Sequence, residues 1–173
     1  NALLKIIEEP TKNNYFFLIN NKSKPLIETI KSRCLEIKVI LNQTQRVDVI
    51  NSLIKKFKID KIIDPVSSQL SPGNYIKFNY TYNEYKISLE NDYLKNLGTL
   101  LNLYKRDKNI MFIDMIVFLT DNYFNKLKNA NSLPIDKIVE YKSFIFENIN
   151  KFYMYNLNQH ALLNTINIKI NND

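Results

Sequence analysis

Thr29-Ile30-Lys31-Ser32-Arg33-Cys34 is a short stretch, polar at its centre, set between two apolar runs. Upstream stand the helix-like Asn1-Ala2-Leu3-Leu4-Lys5-Ile6-Ile7-Glu8-Glu9-Pro10 and the strand-like Tyr15-Phe16-Phe17-Leu18-Ile19-Asn20. Downstream, Leu35, Ile37 and Val39 alternate with Glu36 and Lys38. The first run puts Leu3, Leu4 and Ile7 on one helical face and ends at a proline, which cannot continue a helix. Glu8 and Glu9 fall near its C-terminus, the unfavourable end of a helix dipole for carboxylates. Solvent screening is the expected compensation there, and a basic partner the alternative. Tyr15 to Ile19 is continuously apolar and rich in aromatic and branched residues, the pattern of a fully buried strand. Ser23 and Pro25 suit the start of a short helix reaching about Glu28. Cys34 to Ile40 reads as a second strand, with Cys34 a small core residue rather than a nucleophile. Residues 1–40 are therefore expected to be a partial α/β unit, the trailing part of a larger domain. Two strands do not complete a sheet, and unmatched edges invite pairing with another chain.

Beyond residue 41 the period becomes helical. Val47, Ile50, Leu53, Ile54 and Phe57 form one stripe, with Asn42 or Thr44 as cap. A second helix is expected from about Asp60 to Leu70, complicated by Pro65, before Ser71-Pro72-Gly73 interrupts the chain. Residues 75–86 fit a strand through Ile76, Phe78, Tyr80 and Tyr82, or a helix through Phe78, Tyr82 and Tyr85; helix is preferred because both neighbours are helical. Four further helices are predicted at about 88–105, 109–128, 134–155 and 158–168. The second of these is apolar nearly all round and should be central to a bundle. The third carries Ile138, Ile145, Ile149 and Phe152 on one stripe, and Ser132-Leu133-Pro134 is a good turn and helix start before it. The expected class is mainly α.

Composition removes several function classes. With 173 residues, 45% hydrophobic and 24% charged, the chain is long enough to bury a core. It has two glycines and no G-x-x-x-x-G-K-[ST], so it carries no Walker A loop for a nucleotide. One cysteine, Cys34, excludes an internal disulfide, and with a single histidine, His160, a zinc site is not expected. His160 near a helix start reads as a surface or cap residue. The longest apolar run, Ile110 to Leu119, is too short to span a bilayer and contains Asp114. No secretory signal is legible, and a reducing, cytoplasmic setting is expected. The net charge of +7 permits nucleic-acid binding, but the lysines are spread along the chain rather than clustered. Tyr75 to Tyr85 could stack bases, although interdomain packing is the preferred reading.

Read together, the helix ending in Glu8-Glu9-Pro10, the run Phe16-Phe17-Leu18-Ile19-Asn20, and Leu26-Ile27-Glu28-Thr29-Ile30-Lys31-Ser32-Arg33-Cys34 resemble the clamp-loader branch of the AAA+ ATPases, specifically the bacterial DNA polymerase III clamp-loader subunits. The three segments follow one another at that family's spacing. Ser71-Pro72-Gly73 resembles the lid-domain turn that often precedes a second sensor arginine, but the next residue here is Asn74. Asn156-Leu157-Asn158-Gln159-His160-Ala161-Leu162-Leu163 resembles the Asn-Leu-Asn entry into a leucine-rich last helix. The specific similarity covers about a quarter of the chain.

The resemblance implies three parts: an AAA+ remnant (1–40), a helical lid (41–88) and a helical collar for oligomerisation (89–173). It implies that Arg33, with Ser32 beside it, is an arginine finger acting in trans on ATP-Mg held by a neighbouring subunit. It makes Asn20 a vestigial sensor position and leaves no cofactor bound by this chain. The implied partners are gamma/tau and delta clamp-loader subunits, and through the complex a sliding clamp and primed DNA. Guanidinium chemistry suits the role, since a planar, permanently charged fork can meet two phosphate oxygens at once. Such fingers are worth about 10³–10⁵ in rate where best studied. Alternatives are a gamma/tau-type ATPase subunit whose nucleotide loop lies upstream, or a basic helical DNA-binding module.

Overall fold

Apolar side chains that recur every third or fourth residue from position 43 onward are matched by helix along most of that length. The computed structural model describes residues 5–7, 9, 12–20, 25–90 and 92–171. Backbone contacts divide the chain into Asn1–Asn42 and Gln43–Asp173.

In the second unit, α2 (Gln43–Phe57) packs against α3 (Pro72–Glu84). Helix α2 buries Ile50 and Ile54 of its predicted stripe and leaves Phe57 exposed. Ser71 caps α3 by accepting the Asn74 N–H, and Pro72 occupies the first turn, where its missing N–H costs nothing. Four longer helices follow: α4 (Tyr93–Asp107), α5 (Met111–Asn129), α6 (Ile135–Tyr155) and α7 (Gln159–Asn171). Neighbouring pairs are α4–α5, α5–α6, α6–α7 and α4–α7, so these helices close into a ring around one core. Helix α5, the most apolar, contributes Phe112, Met115, Ile116, Leu119 and Phe124 to that core. The predicted α6 stripe of Ile138, Ile145, Ile149 and Phe152 is buried, with Tyr141 added to it. The ring rests on α3 through Phe78, whose side chain meets Phe118 of α5 at 5.9 Å between centroids.

Helices α4 and α7 approach closely at Gly98. A Cβ built there would stand 3.3 Å from Leu163 Cδ1. The buried Gln159 side chain donates to the Gly98 carbonyl at 3.1 Å. The turn before α7 is made by asparagines. Asn156 ends α6 in the left-handed region, φ 51°, and Asn158 Oδ1 accepts the N–H groups of His160 and Ala161.

The mainly helical class holds, and 75–86 is helical as preferred, as are the four C-terminal segments. Two other expectations fail. Asp60–Leu70 is not a helix. Asp64 Oδ1 and Oδ2 instead accept the Val66 and Ser67 N–H groups, closing a turn at Pro65, and the loop is tied down by distant side chains. Among the described residues no strand forms. Residues 14–20 and 35–42 of the first unit are non-helical and carry no ladder, with Phe17 90% and Leu35 88% exposed. A strand is stabilised by pairing, and runs that do not pair gain neither ladder bonds nor a covered face. Cys34, expected in the core, is accordingly exposed. The short helix α1 of the first unit spans Glu28–Lys31, starting where it was expected to end. Glu28 in its first turn and Lys31 in its last suit the helix dipole and pair with each other at 2.7 Å. Ser23, Leu3, Leu4, Glu8 and Pro10, named above as helix signals, lie outside the described residues.

Candidate functional site

The turn that ends α1 presents Ser32 and Arg33. Ser32 is the C-cap, its N–H bonded to the Glu28 carbonyl at 2.9 Å, and the Arg33 N–H reaches the Ile30 carbonyl at 3.1 Å. The carbonyls at a helix end lack intrahelical partners. The Thr29 carbonyl receives two: Ser32 Oγ donates at 3.2 Å and Arg33 Nη1 at 2.8 Å. Arg33 Nη1 also donates to Ser32 Oγ at 3.3 Å. The guanidinium therefore lies along the negative end of its own helix, and the whole turn is exposed. Beside it, Glu28 holds the Lys31 ammonium above its ordinary pKa, first through their hydrogen bond and then through charge. The turn thus offers a cationic surface with a planar, bidentate donor at its tip. A group of this kind can pair with phosphate oxygens but cannot itself deprotonate a nucleophile.

The three arginines of the chain differ in employment. Arg46 on α2 donates to the Leu70 carbonyl at 3.0 Å and the Val66 carbonyl at 3.3 Å, pinning the 59–71 loop. Arg106 at the end of α4 forms a two-pronged pair with Asp107, at 2.6 and 2.8 Å, and donates to the Tyr85 hydroxyl at 2.9 Å. Asp107, first through its hydrogen bond, and Tyr85 raise the Arg106 pKa, while Arg106 holds the Asp107 carboxyl below its usual range. These two act within the helical unit. Arg33 bonds to the end of its own short helix on an exposed turn.

Asn20, the expected sensor position, is exposed at the end of the non-helical 14–20 run. His160 is an exposed residue in the first turn of α7, where its backbone N–H donates to Asn158 Oδ1; the cap is Asn158, and His160 is a surface residue. Tyr75, Phe78 and Tyr82 are buried, so most of the aromatic segment packs rather than stacks on a ligand. Among the described residues no group of three or more His, Cys, Asp or Glu side chains is arranged to hold a metal ion. A cleft of about 1020 Å³ lies between the 61–70 loop, α3 and α5, with Asp64, Glu90, Asp114 and Asp121 facing Lys61 and Lys126. Sequence reading missed Asn79, a fully buried polar side chain that organises that loop. Its only signal was a lone asparagine among aromatics on the buried face of α3.

Residues 1–44 match the family model described as DNA polymerase III, delta subunit. The chain is 32% identical over 162 residues to the DNA polymerase III subunit delta' of Buchnera aphidicola subsp. Schizaphis graminum, covering 86% of this chain and 49% of that protein. The subunit delta' of the subspecies Acyrthosiphon pisum is 26% identical over 164 residues, with the same coverage of each chain. That of Baizongia pistaciae is 57% identical over 35 residues, 20% of this chain and 10% of that one. The chain spans about half the length of the two relatives that match it along most of its length. No solved structure matches it. The likeness seen in the first 34 residues thus extends, as similarity to proteins named DNA polymerase III subunit delta', over most of the chain.

Proposed function

We propose that this chain serves DNA replication as a delta-prime-type subunit of the DNA polymerase III clamp loader. It is an accessory, non-catalytic part of that assembly. The similarity to proteins named subunit delta' along 86% of the chain carries this reading. Residues 89–173 act as the collar that joins subunits in a ring, and residues 41–88 act as the lid. A collar holds neighbours at high effective concentration, so a weak contact elsewhere in the ring is made repeatedly. Arg33 then acts in trans, exchanging its bond to the Thr29 carbonyl for phosphate oxygens of ATP-Mg on a gamma/tau-type neighbour, with Ser32 holding the turn. The exposure of the turn and the internal employment of Arg46 and Arg106 support Arg33 for this role. Delta-type subunits, a sliding clamp and primed DNA are the remaining partners of the assembled loader.

The test is Arg33→Ala in the full-length subunit, reconstituted with gamma/tau-type and delta-type partners. Ring assembly, followed by sedimentation, stays intact, while DNA- and clamp-stimulated ATP hydrolysis falls by about 10²-fold or more. Unchanged hydrolysis in an assembled ring removes the finger assignment. Tight, salt-sensitive binding of primed DNA by this chain, with no association with those partners, removes the clamp-loader reading itself.

A further inference from the structure

We infer that the apolar groove where α2 and α3 meet the start of α5 docks an acidic, amphipathic segment of a partner protein. The proposal is independent of the Arg33 assignment and concerns the other unit of the chain. The groove has a volume of about 330 Å³ and is walled by Phe57, Ile59, Ile76, Tyr80 and Met111, with Lys77 at its edge. Phe57 is 55% and Tyr80 59% exposed, so two aromatic faces stand in water beside a concave apolar wall. Scattered exposed hydrophobics need no explanation, but apolar side chains gathered around a concavity mark a docking site. A hollow of this size takes one bulky side chain or two small ones, as a helix offers at positions i and i+4. Its concavity favours an inserted side chain over a flat membrane surface.

Charge selects the kind of segment. Lys77 lines the groove, and Lys56 places its ammonium 5.6 Å from the centre of the Phe57 ring. Lys55 and Lys58 add to the same end of α2. No acidic side chain is among the residues that wall the groove. All four lysines are exposed. A segment with Glu or Asp on either side of its apolar anchor gains attraction at the rim and burial at the centre, whereas a lysine-flanked segment meets repulsion at the same rim.

Two synthetic helical peptides with one Leu/Phe stripe test this, one flanked by Glu and the other by Lys. Each is titrated against the 173-residue chain by fluorescence anisotropy. The Glu-flanked peptide binds at least about tenfold more tightly than the Lys-flanked one, and added salt narrows the difference. Tyr80→Ser weakens the Glu-flanked peptide by about tenfold. Combined Lys56→Glu and Lys77→Glu reverses the preference between the two peptides. Lys128→Glu, remote on α5, leaves both affinities unchanged, and thermal melts verify that each variant is folded. The charge-reversal pair keeps the test decisive if Tyr80→Ser fails to fold. Binding of neither peptide, equal binding of both, or affinity indifferent to every groove variant overturns the proposal. So does capture of phosphatidylserine vesicles, lost with Tyr80→Ser, in place of the Glu-flanked peptide.

Discussion

The hydroxyl of Tyr75 donates to the backbone carbonyl of Ile63 at 2.6 Å, joining α3 to a loop residue twelve positions earlier. One turn along, Asn79 Oδ1 accepts the N–H groups of Ile62 and Ile63 at 2.8 and 3.1 Å, and Asn79 Nδ2 donates to the Tyr75 carbonyl at 2.8 Å. Two side chains from one helical face thus satisfy three backbone groups of an irregular segment. Unmet buried donors cost more than a bond is worth when made. Tyr75→Phe should therefore lower stability by about 1 kcal/mol, and Asn79→Ala by about 3 kcal/mol, because it strands two N–H groups. Urea denaturation measures both, and equal, small losses would mean that the loop finds water instead.

Tyr82 presents the opposite case. Its side chain is fully buried, and its hydroxyl has no hydrogen-bond partner among the described residues. Removing an unsatisfied polar atom while keeping the ring relieves a desolvation cost. Tyr82→Phe is expected to raise stability by about 1 kcal/mol, read as a higher urea midpoint at unchanged slope.

Buried phenols also set an alkaline limit. Burial pushes the pKa values of Tyr82 and Tyr93 upward. For Tyr93 the hydrogen bond to Thr120 at 2.9 Å opposes that shift without cancelling it. Below pH 10 both phenols are neutral in the folded and unfolded states, and they add no pH dependence. Above about pH 10 the unfolded chain ionises while the native state resists, so stability falls by about 1.4 kcal/mol per pH unit for each such tyrosine. Tyr93→Phe and Tyr82→Phe should each flatten that slope in chemical denaturation series at rising pH. An unchanged slope in both would show that neither phenol stays neutral.

Gly98 marks where α4 and α7 lie closest. Gly98→Ala puts a methyl group against the flexible end of Leu163, and the gain in helix propensity, about 1 kcal/mol, offsets the crowding, so stability should hardly change. Gly98→Val exceeds that tolerance and should cost about 2 kcal/mol. Adding Leu163→Ala to Gly98→Val should recover part of the loss, a coupling that a double-mutant cycle reads directly. Strict additivity would show that the two side chains do not meet.

Residues 156–163 show how a motif legible only as a resemblance becomes physical. Asn156 ends a helix, Asn158 starts the next, Gln159 meets the Gly98 carbonyl, Leu162 is buried and Leu163 covers Gly98. The bonds that Ser32 Oγ and Arg33 Nη1 make to the Thr29 carbonyl and to each other span four residues or fewer. Asn79 was not legible in the sequence, because its value lies in partners sixteen and seventeen residues away.

Local spacing located α4 to α7 within about five residues, and α3 once its helical neighbours were taken into account, since helix hydrogen bonds join residues four apart and an apolar stripe encodes its own buried face. The likeness to clamp-loader subunits rested instead on the resemblance of ordered motifs, the Ser32-Arg33-Cys34 turn among them. Two outcomes lay beyond local spacing. The 59–71 segment took an irregular path because Tyr75, Asn79 and Arg46 meet its backbone groups from other elements. The runs at 15–19 and 35–40 formed no strand because a ladder needs a second chain segment at hydrogen-bonding distance. In both places the backbone's partners are distant in sequence, and only the folded arrangement brings them together or leaves them apart.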